Sequence, residues 1–241
     1  MAEPERILLI LPCYNEGKVI GDVLREVRDL DAGYDTLVID DGSTDDSYEV
    51  ASRFSPCVRL VENLGIGAAV HTGLLYARER GYDICVQVDG DGQHPPEEVR
   101  KLVAAYSSEP ANLIIGSRYI DNDGFQSSFA RRLGSRLIGK TLQLLFGKFV
   151  TDPTSGLRLF DRGAIAAFAD NFPHDYPEPI VVARALRQKL TLREVPVRMR
   201  ERGSGESSIQ GHNILNYMIR ALGYIALARL GPRAARPRKE G

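Results

Sequence analysis

Five short apolar runs set the strongest limit on the fold: ILLIL at 7–11, TLVI at 36–39, CVRLV at 57–61, ICVQV at 84–88 and LIIG at 113–116. Each is strand-length and apolar at nearly every position rather than at alternate ones, which places it in a sheet covered on both faces. Helical patterns separate several of them, at 18–30, 45–53, 67–80 and 96–107. Pro95 and Pro96 ahead of Glu97 and Glu98 suit a helix start, because proline lacks the N–H that goes unbonded there and acids favour the positive end. Strands alternating with helices predict an α/β fold with a mostly parallel sheet, an open α/β/α sandwich. Ligands then gather beyond the carboxyl ends of the strands.

The rhythm fades after about residue 120. Residues 128–147 form a basic amphipathic helical pattern, followed by the polar segment TDPTSGLRLFD and the proline-interrupted segment NFPHDYPEP at 171–179. A helix over 180–189 and a strand over 191–198 are expected next. We read residues 1–210 as one large domain and 211–241 as a C-terminal amphipathic helix with a basic, disordered tail.

Net charge is −1, and no basic stripe stands out, which argues against a nucleic-acid partner. Cys13, Cys57 and Cys85 lie in or beside apolar runs without CxxC spacing, as expected of small buried residues in a reducing compartment. The apolar stretch Ile7–Leu11 is too short for a signal peptide and follows acidic residues. No run reaches the ~18 apolar residues of a membrane span. The expected location is therefore the cytoplasm.

The odd residues cluster after the strands. PCYNEG at 12–17 replaces the glycine fingerprint of a dinucleotide fold; Asn15 and Glu16 can cap a helix, and Tyr14 can pack on a ligand ring. In VIDDGSTDDS, Asp40 and Asp41 sit at a strand tip. There a carboxylate either accepts from a base N–H or ribose hydroxyl, or caps the turn. VDGDGQH is sharper, since Asp89 and Asp91 around one glycine can both turn to a hard cation, Mg²⁺ or Mn²⁺, that shares its ligands with substrate phosphates. His94 is either a nitrogen ligand, a helix cap or a hydrogen-bonding support. Arg118 after a strand, and Arg131 and Arg132 at the head of the basic helix, suit phosphate oxygens.

PCYNEG, VIDDGSTDDS, NLGIGAAVHTGLLYA, VDGDGQHPPE, GSRY and TDPTSGLRLFDR, in this order over about residues 6–200, resemble the family 2 inverting glycosyltransferases. They are most similar to the branch that glycosylates dolichyl or polyprenyl phosphate. The resemblance implies a GT-A fold, a nucleotide diphosphate sugar donor such as a GDP- or UDP-sugar, and a nucleotide pocket lined by Pro12, Tyr14, Asn15, Glu16 and Asp41. It further implies Asp89 near ribose and metal, Asp91 as the main metal ligand with Gln93 close by, Arg118 and Arg131 on phosphates, and Asp152 to Arg158 on the sugar and acceptor side.

Two acceptors stay open. A lipid phosphate is already ionised near pH 7, so positioning arginines suffice; a glycan hydroxyl needs a general base, for which Asp175 and Glu178 in HDYPEP are candidates. Asp175 also suits a cap for the next helix. The chain has no tryptophan, so the QxxRW motif of processive synthases is absent. Residues 212–239 combine an apolar helix with a basic tail. We expect this segment either to meet the cytoplasmic membrane face or a small membrane partner, or to pack on the domain or on a second copy in a homodimer. RMRERGSGESS at 198–208 resembles the family's closing loop, with Arg202 and Ser207 as phosphate contacts, and equally suits a plain connector.

Overall fold

The structure, a computed structural model, describes residues 5–121, 129–200 and 213–230. Its strands are β1 Ile7–Cys13, β2 Asp35–Asp40, β3 Cys57–Arg59, β4 Ile84–Gln87, β5 Leu113–Ser117, β6 Arg158–Asp161 and β7 Leu192–Pro196. Its helices are α1 Ile20–Asp29, α2 Ser47–Ala51, α3 Ile66–Glu79, α4 Pro96–Ser108, α5 Phe129–Phe146, α6 Arg162–Ala169, α7 Pro177–Arg187 and α8 Asn213–Leu230.

The strands form one sheet in the order β3-β2-β1-β4-β6-β5-β7. Only β6 runs against its neighbours β4 and β5; every other pairing is parallel. The apolar runs behave as their composition requires. Leu8 and Ile10 face one core with Leu37, Ile39 and Cys85, under α3, α5, α6 and α7. Leu9 and Leu11 face the other with Val38, Ile84 and Val86, under α1, α2 and α4. Each fully buried aliphatic side chain contributes roughly 1.5–3 kcal/mol, so burial on both faces fixes these strands centrally. The three cysteines are free, with Cys13 and Cys85 buried.

Sequence patterning missed β6 and α6, which lie in and just after the segment read as polar. The reason is Arg158: it occupies β6 yet is 1% exposed, and a charged residue inside an RLF run hides the strand. Burial is possible because its guanidinium donates to three backbone carbonyls, those of Ser155 (2.8 Å), Pro153 (2.9 Å) and Glu178 (2.8 Å). The α6 helix starts at Asp161, whose side chain accepts from the Ala164 amide at 2.7 Å. At the other end of the chain α8 packs on α7 and α5, with Ala221 and Ile225 fully buried. The basic tail, Arg202 and Ser207 lie outside the described residues.

Candidate active site

Because β1, β2 and β4 run parallel, their carboxyl ends open on one edge of the sheet. Cys13 pairs with Asp40 and Ile10 with Gln87, which brings the loops after the three strands together. The Asp41 amide donates to the Cys13 carbonyl at 2.8 Å, and the Gly90 amide to the Pro12 carbonyl at 3.2 Å. A Cβ at Gly90 would meet that same carbonyl, so glycine allows the two loops to touch.

The first two loops are stitched by Asn15. Its backbone is left-handed (φ 55°), its amide donates to Ser43 Oγ at 2.9 Å, and its Oδ1 accepts from the Thr44 amide at 2.8 Å. The Glu16 amide donates to Ser47 Oγ at 2.8 Å. Asn15 thus builds the pocket wall with its side chain turned to the neighbouring loop. Tyr14 keeps its ring 43% exposed at the mouth. Asp41 is buried, and its two oxygens accept from the amides of Leu64 (2.9 Å) and Gly65 (2.8 Å). Burial raises its pKa, and the two amides oppose that rise. Asp41 thus caps a loop distant in sequence rather than its own turn, and the carboxylate fixes the segment before α3. NLGIGAA, which is no phosphate loop, works here as a backbone wall: Gly42 packs so closely on Glu62 and Asn63 that no side chain fits.

Asp89 and Asp91 end the third loop. Asp91 is 6% exposed and accepts from the Gln93 amide at 3.0 Å. The Asp89 side chain is 26% exposed, with Oδ2 at 3.8 Å from His94 Nε2. His94 is buried, and burial pulls its pKa down to about 4, against Asp91, which favours its charged form. It is therefore a neutral imidazole, and its ring nitrogens find no hydrogen-bond partner among the described residues. Among the described residues, no three His, Cys, Asp or Glu side chains gather as a cation site. Asp89 and Asp91 bring carboxylate oxygens, the donors a hard cation prefers, to this one loop.

The opposite wall comes from the second half of the chain. Arg118 leaves the tip of β5 and is gripped by Asp152, with Nε at 2.6 Å from Oδ2 and Nη2 at 2.7 Å from Oδ1; Nη2 also reaches Thr154 Oγ1 at 3.0 Å. Asp152, its main electrostatic partner, raises the guanidinium pKa against the cost of burial. Asp152 is held in turn by Glu194 of β7, whose oxygens accept from the Thr151 and Asp152 amides, both at 2.8 Å. Arg131 is exposed on α5, while Arg118 and Arg132 flank the Tyr119 ring at 5.1 and 5.6 Å. Gly156 lies directly on Asp89: a Cβ there would overlap the Asp89 carboxylate.

The two candidate bases part company. Asp175 is exposed and accepts from the Tyr224 hydroxyl at 3.4 Å. Glu178 is half-buried; burial raises its pKa, and Arg158 pulls it back. Sequence reasoning put the segment Asp152 to Arg158 on the sugar and acceptor side without singling out Arg158 or Gly156, and it did not name Glu194. The available signal was Arg158 itself, a charge inside a short apolar run. A cavity of about 500 Å³ lies at the opposite edge of the sheet, beside Tyr34, Asp35, Phe54 and Tyr82, away from all these groups.

Strand-tip carboxylates and the largely buried arginines Arg118 and Arg158 thus share one end of this sheet. The glycosyl transferase family 2 model matches residues 8–168, and the chain belongs to that family: it is a nucleotide-sugar-dependent glycosyltransferase. It is 31% identical to the undecaprenyl-phosphate mannosyltransferase of Micrococcus luteus, over 86% of this chain and 88% of that protein. It is 29% identical to the UDP-N-acetylglucosamine–dolichyl-phosphate N-acetylglucosaminyltransferase of Methanococcus voltae, over 80% of this chain and 84% of that one. Among solved structures, glucosyl-3-phosphoglycerate synthase from Mycobacterium tuberculosis with Mn²⁺, UDP and its product superposes with a TM-score of 0.70. That match covers 93% of this chain and 80% of the other at 22% identity, a likeness of fold, and the fold is GT-A.

Proposed function

We propose that the protein moves a hexose from a nucleotide diphosphate sugar to a polyprenyl phosphate by direct, inverting displacement. The carrying observation is the surface beside the site. On α5, Leu133, Leu137 and Leu144 are exposed; on α8, Ile219, Leu227 and Leu230 are exposed. Neither helix contains an acid, whereas α5 carries Arg131, Arg132, Arg136 and Lys140 and α8 carries Arg220 and Arg229. An apolar stripe edged only by positive charge suits an anionic bilayer surface, where a lipid phosphate is presented. Among the described residues no helix is long and apolar enough to cross a membrane, so we infer peripheral contact.

In this reading the base stacks on Tyr14 within walls built by Pro12, Asn15, Glu16 and Asp41. Asp91, with Asp89 and Gln93, would hold Mg²⁺ or Mn²⁺, which when bound would supply positive charge to stabilise the leaving diphosphate. The buried imidazole of His94 packs 3.8 Å from Asp89 without adding charge. Asp152 occupies Nε and Nη2 of Arg118, so Nη1 is the nitrogen that turns to a phosphate, and Arg131 on the exposed helix meets the acceptor phosphate. That phosphate is already ionised and requires no base, in keeping with an Asp175 that faces outward. The M. luteus relative's action on undecaprenyl phosphate supports this acceptor class.

A second reading, transfer to a hydroxyl, is favoured by Glu178, whose raised pKa and half-buried position suit a general base. Incubation with Mn²⁺ and labelled UDP- and GDP-sugars, with polyprenyl phosphate set against a saccharide acceptor, separates the two. Label in the lipid is the expected result; label only in the saccharide overturns the first reading.

A further inference from the structure

The α7 helix begins from an unusual backbone. Tyr176, its N-terminal flanking residue, is left-handed (φ 48°, ψ 50°), a conformation that a bulky side chain adopts only when its surroundings hold it there. Those surroundings come from α8. The Tyr217 ring meets the Tyr176 ring edge-on at 4.8 Å, and the Tyr224 ring lies at 5.9 Å. The Tyr224 hydroxyl reaches Asp175 at 3.4 Å. Two residues after Tyr176 comes Glu178, whose carbonyl is bound by Arg158 of β6. The same β6 strand follows Gly156, which lies on Asp89. The turn at 175–178 is therefore clasped between α8 on the outside and the strand that abuts the metal-side aspartate on the inside.

We propose that Tyr217 is a positioning residue, and that through it α8 forms a working wall of the site, holding the 175–178 turn against Arg158. Tyr217 is partly buried and its ring packs edge-on against Tyr176, which places it on the inner side of α8. The outer side of the same helix is the apolar surface assigned above to the bilayer. One helix therefore meets the acceptor's environment on one face and the 175–178 turn on the other. The inference rests on the transferase reading of the strand-tip site, and its test includes a measurement that needs no acceptor.

In Tyr217→Ala, hydrogen exchange at the Ile180 amide, which donates to the Tyr176 carbonyl at 3.4 Å, is expected to accelerate about tenfold or more, with exchange in β1, β2 and β4 unchanged. Turnover is expected to fall about ten- to a hundredfold while nucleotide and Mn²⁺ affinities stay within about twofold. Tyr217→Phe keeps the ring and is expected to behave as the parent. In a Tyr176→Gly background, where the left-handed backbone needs no clasp, Tyr217→Ala is expected to change exchange less than about twofold. If Tyr217→Ala does not fold, Tyr217→Leu carries the same expectations. Unchanged exchange at Ile180, or donor affinity and turnover falling together, overturns the proposal. A parent enzyme that labels no polyprenyl phosphate overturns the acceptor reading instead, and leaves the exchange result to decide this one.

Discussion

The two halves of the sheet are held by different means. On the donor side, β1, β2 and β4 deliver their loops by parallel register, and the loops lock through backbone amides: Asn15 on Thr44, Asp41 on Leu64 and Gly65, Asp91 on Gln93. On the side proposed to take the acceptor, an antiparallel strand interrupts the sheet, and charged side chains at least partly buried do the holding: Arg118 on Asp152, Glu194 on the Thr151 and Asp152 amides, Arg158 on three carbonyls. Register is a property of the fold and tolerates side-chain change. A buried charge network depends on each member, because removal of one strands the others without solvent.

Substitutions break this contrast in graded ways. Asp91→Ala removes the proposed principal cation ligand, and turnover should drop by more than about a hundredfold with folding intact, as measured by product formation and circular dichroism. Gly156→Ala comes next. The new methyl displaces the Asp89 carboxylate from the acceptor-side loop, and kcat/KM should fall about ten- to a hundredfold. Arg158→Met spares every donor-side contact but leaves three carbonyls without their donor, and denaturant unfolding should report about 3–5 kcal/mol of lost stability. Asp175→Asn should leave turnover within about twofold, since the exposed carboxylate serves only the Tyr224 hydroxyl.

The smallest effect concerns pH. The Glu178 pKa is raised above its unfolded value of 4.5 by burial, so between that value and the folded pKa the native state holds more protons than the unfolded chain. Stability should therefore fall as pH rises through this window. Glu178→Gln should flatten that slope in unfolding curves measured across it.

The same contrast explains what was readable in the sequence. The donor half is built from regular strand–helix units, so apolar runs and the polar tips behind them located β1 to β4 and the loops with Asp41, Asp89 and Asp91, and a fifth run located β5 beyond β6. Asn15 and Asp41 were placed in the right loops, but their inward bonds to neighbouring amides depend on which loops lie side by side, which no local pattern records. The acceptor half was harder because its strand β6 carries a buried arginine. Its contacts also join residues far apart in the chain, such as Arg118 with Asp152 and Thr151 with Glu194. Tyr176 takes a backbone form that its residue type disfavours, and only a distant helix makes it tenable.

A cation shared between Asp91 and the donor diphosphate is most directly tested by calorimetric titration of nucleoside diphosphate into the protein with and without Mn²⁺. Binding that requires Mn²⁺ in the parent and disappears in Asp91→Ala is the expected result. Equal affinity in the absence of Mn²⁺, or in Asp91→Ala with it, would contradict the shared-metal site.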